Sequence, residues 1–312
     1  VKFPVTTLHE KTEFFGFQFL KIPFSLFPRP VCLAIGGALG SFIYHIDRKH
    51  RQIALSNLKT AFGARLSTAE QKKIAKASFR HFGSVFADII KIQHMKRDKI
   101  LRSISIEGKE HLDRATRKGK GVLIFSAHLG NWEIATAPVS EIGKINVIAR
   151  PFDNRLLEKE FFKIRTKLGA NVIHKQQAAR PILRALGANE MVAILIDQNV
   201  VRSQAVFVDF FGKPAATTPS LAAFFLKTDA PMVPVFCFPV RRGKYHIKIH
   251  DPLNIVLTGD EEQDILKITQ LCTKIIQNQI QENPKVWLWF HNRWKTRPED
   301  EEKTGTQEHE NQ

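Results

Sequence analysis

Cysteine is scarce. Cys32, Cys237 and Cys272 are the three in 312 residues, widely scattered and without a C-x-x-C or zinc-ligand spacing. That excludes a disulfide framework, implies no structural metal, and fits a reducing compartment. No H-E-x-x-H is present, so zinc-peptidase chemistry has no motif. No G-x-S-x-G is present, so no serine stands in a nucleophile elbow. Helix-turn-helix, RNP and zinc-finger signatures are also missing. Acid is in deficit: 30 Asp and Glu face 47 Lys and Arg, for a net charge of +17.

The chain has ample apolar material. Hydrophobic residues make up 43% and charged residues 25%, a globular composition that fits one large domain or two smaller ones. From Pro298 onward six acids oppose one base, Lys303, leaving +22 on the rest of the chain. Such a surplus attracts anionic lipid, an acidic protein or nucleic acid. The basic residues are spread along the whole sequence, so no nucleic-acid partner is expected. The tail 298–312 is too polar to bury anything and is expected to be disordered.

Residues 1–50 are unusual. Phe14, Phe15, Phe17, Phe19, Phe24 and Phe27 crowd one stretch, and Pro30 to Ile46 runs seventeen residues without Asp, Glu, Lys or Arg. That is near the lower limit for crossing a bilayer, and a basic flank, Arg48-Lys49-His50-Arg51, follows it. A cleavable signal peptide fits badly, because the apolar run starts late and no clear A-x-A site follows. The segment reads as a membrane-inserted or membrane-lying anchor; a buried core helix is the competing reading. Residues 51–105 read as helical. Ser67 and Glu70 form a capping box, followed by Ile74, Ser78, His81, Phe82, Val85, Phe86 and Ile89 at helical spacing.

Residues 106–297 alternate short β-type runs with helical ones: Gly121–Ser126, Asn146–Ala149, Val172–His174 and Met191–Ile196 are separated by helical stretches. The expected fold is α/β, with a mostly parallel central sheet flanked by helices and preceded by the N-terminal membrane-anchoring region. Met232–Val240 and Tyr245–His250 read as a hairpin. A helix from about Asp260 to Gln281 closes the fold.

His128 falls just beyond a buried-type strand, at the sheet edge where open α/β folds keep their sites. Asn131 is a good N-cap, and Glu133 sits in the first turn of the helix that follows. A carboxylate-oriented imidazole is the geometry of a general base, and Glu133 is placed where it could fold back toward His128; a histidine satisfied by a nearby backbone group is the competing reading. Arg150 and Asp197 also end strands, and Arg165 lies on a helix.

His128-Leu-Gly-Asn-Trp-Glu133 resembles the HX4D/E box of the bacterial lipid A late acyltransferases, the lauroyl and myristoyl transferases. Arg150-Pro-x-x-Asn154, Arg165-x-x-x-Gly169, Asp197-Gln198-Asn199, Val206 to Thr217, Ala230 to Val235 and Trp289-x-His291-x-Arg293-Trp294 extend the resemblance over residues 30–296. It implies transfer of an acyl chain from acyl carrier protein to a hydroxyl of a lipid A precursor, at the cytoplasmic face of the bacterial inner membrane. It implies no cofactor, no metal and no covalent enzyme intermediate. His128 and Glu133 would be catalytic. Arg150, Arg165, Asp197, Gln198 and Asn131 would bind substrate, with Asn131 or backbone amides at the oxyanion and Asp197 holding polar acceptor groups or bracing Arg150. Phe210-Phe211-Gly212 would form a lipid-facing loop or belong to the core. An acyl-CoA-dependent enzyme acting on another glycolipid or lysophospholipid is the alternative. A non-catalytic basic membrane- or nucleic-acid-binding protein is the rival from another class.

Overall fold

The computed structural model describes residues 7–298 apart from positions 177 and 242. The acidic tail expected after Pro298 lies outside the described residues. Helices α1 (Leu8–Leu26), α2 (Arg29–Ile46), α3 (Arg48–Phe62), α4 (Thr68–Ile92) and α5 (Arg97–Leu101) precede the sheet. Then come β1 (Ile104–Glu107), α6 (Lys109–Thr116), β2 (Val122–Ser126), α7 (Trp132–Val139), β3 (Ile145–Ala149), α8 (Arg155–Lys167), β4 (Ala170–His174), α9 (Ala179–Gly187) and β5 (Met191–Leu195). The strands β6 (Val206–Phe210) and β7 (Lys213–Thr217), helix α10 (Ser220–Thr228), strands β8 (Met232–Pro239) and β9 (Tyr245–Ile249), and α11 (Glu261–Glu282) follow.

The seven-stranded sheet has the order β1-β9-β8-β2-β5-β3-β4. All its neighbours are parallel except the β8–β9 hairpin, so the α/β reading and that hairpin both hold. Strand β5 returns between β2 and β3, which makes β2 the strand from which the chain departs in both directions. Alternate residues of buried strands feed two cores. Leu123, Phe125, Val192 and Ile194 face one, with α3, α9, α10 and α11. Val122, Ile124, Met191 and Val233 face the other, with α6, α7 and α8. Helix α4 serves both, Ile74–Phe79 on one side and Val85–Ile92 on the other. Its N-terminus carries the expected reciprocal Ser67–Glu70 capping box.

Helix α2 is long and apolar enough to cross a membrane by length and composition. It nevertheless packs one face against α4. A Cβ on Gly36 would strike the Gly83 carbonyl, one on Gly83 would strike Gly36, and one on Gly40 would strike Phe79. These glycines permit close helix contact. The other face of α2 is apolar and exposed at Leu39, Phe42, Ile43 and Ile46. Helix α1 likewise exposes Phe15, Phe19, Ile22 and Leu26, one stripe at helical spacing. Lys21 Nζ ties α1 to Glu160 of α8 at 2.6 Å.

Phe210 and Phe211 do not form a lipid-facing loop. Phe210 ends β6 and Phe211 begins the turn of the antiparallel β6–β7 hairpin, and they are 1% and 9% exposed. Phe211 packs on Phe62 and Trp289, and Phe210 on Trp287 and Trp294. Arg293 is buried and donates to the Ala216 carbonyl and the Thr217 hydroxyl, which fastens the segment after α11 to β7.

Candidate active site

Strands β2 and β5 pair in parallel, Ser126 opposite Leu195. Two residues further along each strand stand His128 and Asp197, so the register itself brings them together. The Nδ1–H of His128 donates to Asp197 Oδ1 at 2.8 Å. Asp197 Oδ2 accepts from the His128 backbone N–H at 2.9 Å and from the Trp287 indole at 2.8 Å. Burial alone would raise the Asp197 pKa. The facing imidazole and these three hydrogen bonds outweigh it and hold the carboxyl below its ordinary range. With Nδ1 protonated, His128 Nε2 keeps its lone pair. It lies 3.4 Å from the Gln198 side-chain amide.

The turn after β2 is tightly held. Gly130 has φ +64°, and a Cβ there would run into the Cys237 carbonyl, so the position demands glycine. Its N–H donates to the Val286 carbonyl, and its carbonyl accepts from His81 Nε2 at 3.1 Å. Asn131 is not available to an oxyanion. Its Nδ2 donates to buried Asp88 at 3.2 Å, its Oδ1 caps the Ile134 N–H, and its own N–H is taken by Cys237. The backbone N–H groups of His128, Leu129 and Gly130 are engaged as well.

Glu133 does not orient His128. Its carboxylate is gripped by Arg165, Oε1 to Nη2 at 2.7 Å and Oε2 to Nε at 3.1 Å, with both side chains close to nine-tenths buried. A bidentate guanidinium–carboxylate fork is the stronger claim on a buried acid, and Asp197 already occupies Nδ1. Arg165 Nη1 is buried without a hydrogen-bond partner among the described residues, although Arg165 lines the cavity described next. Asp197 does not brace Arg150. Arg150 is exposed, 3.6 Å from Asp153.

His128 opens onto a cavity of about 1120 Å³. Its walls are mainly apolar, with Phe86, Ile89, Val139, Ile145, Ile182 and Phe224 among them, while Glu133, Arg150, Arg165, Gln198 and Lys175 supply polar points. The size exceeds the roughly 300–1,000 Å³ of ordinary ligand pockets. Trp132 sets its ring edge-on to His128, 4.8 Å between centroids.

Of the residues expected at the site, His128, Asp197, Gln198, Glu133, Arg165 and Arg150 all line this cavity or touch those that do. Asn131 lies behind it. Sequence reasoning missed Trp287, His81 and Asp88, which hold the site from behind. Asp88 carried a signal, being a lone acid among Phe86, Ala87, Ile89 and Ile90 on a strongly periodic helix.

Fold and cavity thus define an α/β protein with an aspartate-held imidazole at the mouth of a space shaped for hydrocarbon. The sequence profile of the bacterial lipid A biosynthesis acyltransferases matches residues 2–296, and the chain belongs to that family. It is an acyltransferase. It is 25% identical to a lipid A biosynthesis acyltransferase of Haemophilus influenzae, covering 85% of this chain and 82% of the relative. It is 26% identical to the lipid A biosynthesis palmitoleoyltransferase of Escherichia coli, covering 87% of each. A phosphatidylinositol mannoside acyltransferase of Mycobacterium tuberculosis is 25% identical, over 70% of this chain and 69% of the relative.

Proposed function

We propose that the protein moves a fatty acyl chain from the thioester of acyl carrier protein to a hydroxyl of a lipid A precursor, with His128 as general base. The observation that carries this reading is the His128 Nδ1–Asp197 Oδ1 hydrogen bond at the mouth of the apolar cavity. Nε2 takes the acceptor's O–H proton as that oxygen attacks the thioester carbonyl carbon. The tetrahedral intermediate expels the thiolate, which takes the proton back from the imidazolium. Asp197 stabilises that imidazolium and fixes the tautomer. The Gln198 amide, beside Nε2, is the donor assigned to the developing oxyanion. Glu133 holds Arg165 in place, and the unpartnered Nη1 of Arg165 serves a polar acceptor group. Arg150 serves the mouth, where a phosphate or carboxylate of either substrate arrives.

The exposed side chains of the first two helices support the same reading. The apolar stripes of α1 and α2 suit an interface-lying surface on the cytoplasmic face of the inner membrane. The mycobacterial relative favours a second acceptor class, a phosphatidylinositol mannoside. The deciding experiment incubates the purified protein with acyl carrier protein and coenzyme A thioesters, each with a lipid A precursor and with a phosphatidylinositol mannoside. Transfer from the carrier protein to the lipid A precursor is the expected result. Exclusive use of coenzyme A, or of the mannoside, replaces that part of the proposal and leaves the His128 chemistry standing.

A further inference from the structure

The cavity does not lie on one side of the sheet. Val85, Ile89, Ile124, Val139, Ile145 and Phe161 line it, and all belong to the core on the α7–α8 face. Ile182, Ile194 and Ile196 line it as well and belong to the opposite core, where Ala178, Ile148 and Phe224 also pack. Side chains of successive strand residues point to opposite faces, so Ile145 with Val147, and Ile148, enter it from opposite sides. The cavity therefore passes over the carboxyl edge of the sheet, with His128 between two apolar limbs. A single transferred chain needs one limb, and the thioester arm that delivers it is polar. The second limb calls for a second hydrocarbon.

We infer that the limb on the α4–α7–α8 face receives a hydrocarbon chain already carried by the lipid acceptor, and that the limb on the α9–α10 face receives the chain being transferred. The inference rests on the acyl-transfer reading above. Four features of the site assign the limbs. Phe86 and Phe152 line the first limb and are 42% and 41% exposed. Phe17, on the buried face of α1, packs against Phe86 and Phe161, which seats α1, with the exposed apolar stripe on its other face, beside this limb, the side from which a membrane lipid enters. The same limb is walled by Arg165, whose unpartnered Nη1 matches the ester or amide carbonyl that joins a chain to a headgroup. The second limb instead has a polar rim of Lys175, Asn199, Gln204, Thr218 and Ser220, suited to the arm of a water-borne donor.

Two partly buried alanines test this, one in each limb: Ala135 in the first and Ala178 in the second. Both are replaced by leucine. Donors are pantetheine thioesters of graded chain length. Acceptors are glucosamine sugars bearing no acyl chain, one chain or two. One methylene in an apolar pocket is worth about 10–200-fold, so each added isopropyl group registers at tenfold or more. Ala178→Leu is expected to lose at least about tenfold in kcat/KM with the longest donors and to leave the acceptor ranking unchanged. Ala135→Leu is expected to leave the donor profile unchanged and to raise KM only for acceptors that bear chains. The reverse pattern overturns the limb assignment. A donor-length effect from both variants with no acceptor effect from either overturns the double site. Failure of the unaltered protein to acylate any acceptor overturns the transfer reading itself, which is a different result.

Discussion

His128 and Asp197 occupy matched places beyond two adjacent parallel strands, and their side chains meet at 2.8 Å between Nδ1 and Oδ1. Asparagine at 197 would keep the shape but offer the wrong hydrogen-bond pattern and favour the unproductive tautomer. Asp197→Asn is expected to lower kcat by about 10²–10⁴-fold, as is His128→Ala, with circular dichroism unchanged. Steady-state transfer assays check this. Near-normal turnover in the first variant would show that the tautomer is set elsewhere.

The position of His128 was legible because a strand end can be read from a short apolar run and a following N-cap. Its partner was not. Asp197 lies 69 residues away and meets His128 only because β5 inserts between β2 and β3, and strand order is a nonlocal property. Glu133 looked like the partner because it is close in sequence. Once the helix forms, however, Arg165 from α8 captures its carboxylate. The glycines of α2 were ambiguous for a related reason. Gly36 and Gly40 suit a membrane helix and a close helix crossing equally well, and only the facing Gly83 decides that α2 is seated on α4.

Asp88 links that seat to the turn that carries His128. It is fully buried and accepts from Arg29 Nε at 2.6 Å, from the Tyr245 hydroxyl at 2.7 Å and from Asn131. Removing one member of a buried ion pair strands the other, at about 3–5 kcal/mol. Asp88→Ala should lose about that much in urea unfolding, and activity should fall with it because Asn131 caps the helix after His128. A loss below about 1 kcal/mol would mean that Arg29 finds water instead.

Membrane retention should depend on the exposed stripes and not on deleting α2, since α2 also covers α4. A triple variant, Phe15→Glu, Phe19→Glu and Phe42→Glu, changes only exposed side chains. An apolar side chain of this size contributes about 1.5–3 kcal/mol when withdrawn from water. The unaltered chain should stay with carbonate-washed membranes, and the variant should appear largely in the supernatant. Equal retention of both would defeat the proposed membrane face.

Acid should destabilise the fold before the carboxylates titrate. Burial lowers His81 and His291 to about 4. His291 Nε2 accepts the Asn199 N–H, which requires the neutral ring. A folded pKa below the unfolded 6.5 means that the unfolded state takes up the proton first. The stabilisation is complete above pH 6.5, falls as pH drops from 6.5 toward 4, and is lost at about 1.4 kcal/mol per pH unit for each histidine at most. Urea midpoints at pH 7, 6 and 5 should decline in step, and His81→Gln should flatten the slope whatever it does to the midpoint at pH 7. An unchanged slope would show that His81 is not the group responsible.

Donor recognition should be electrostatic. Acyl carrier protein, the proposed donor, is acidic, and Arg150 and Lys175 are exposed where they line the cavity mouth. Charges of this kind speed encounter more than they tighten the final complex. Their reach shrinks as the Debye length falls from roughly 10 Å at 0.1 M salt to 3 Å at 1 M. The rate at limiting carrier protein should therefore drop steeply with ionic strength, while a small pantetheine thioester should show a much shallower decline. Arg150→Glu with Lys175→Glu should remove about tenfold or more in kcat/KM for the carrier-bound donor at low salt and little at 1 M. The small thioester should lose less, because it carries no acidic protein surface to steer and only the local role of the two residues at the mouth is removed. Equal losses for both donors would confine these two residues to that local role, and would move the carrier-docking surface elsewhere on the molecule.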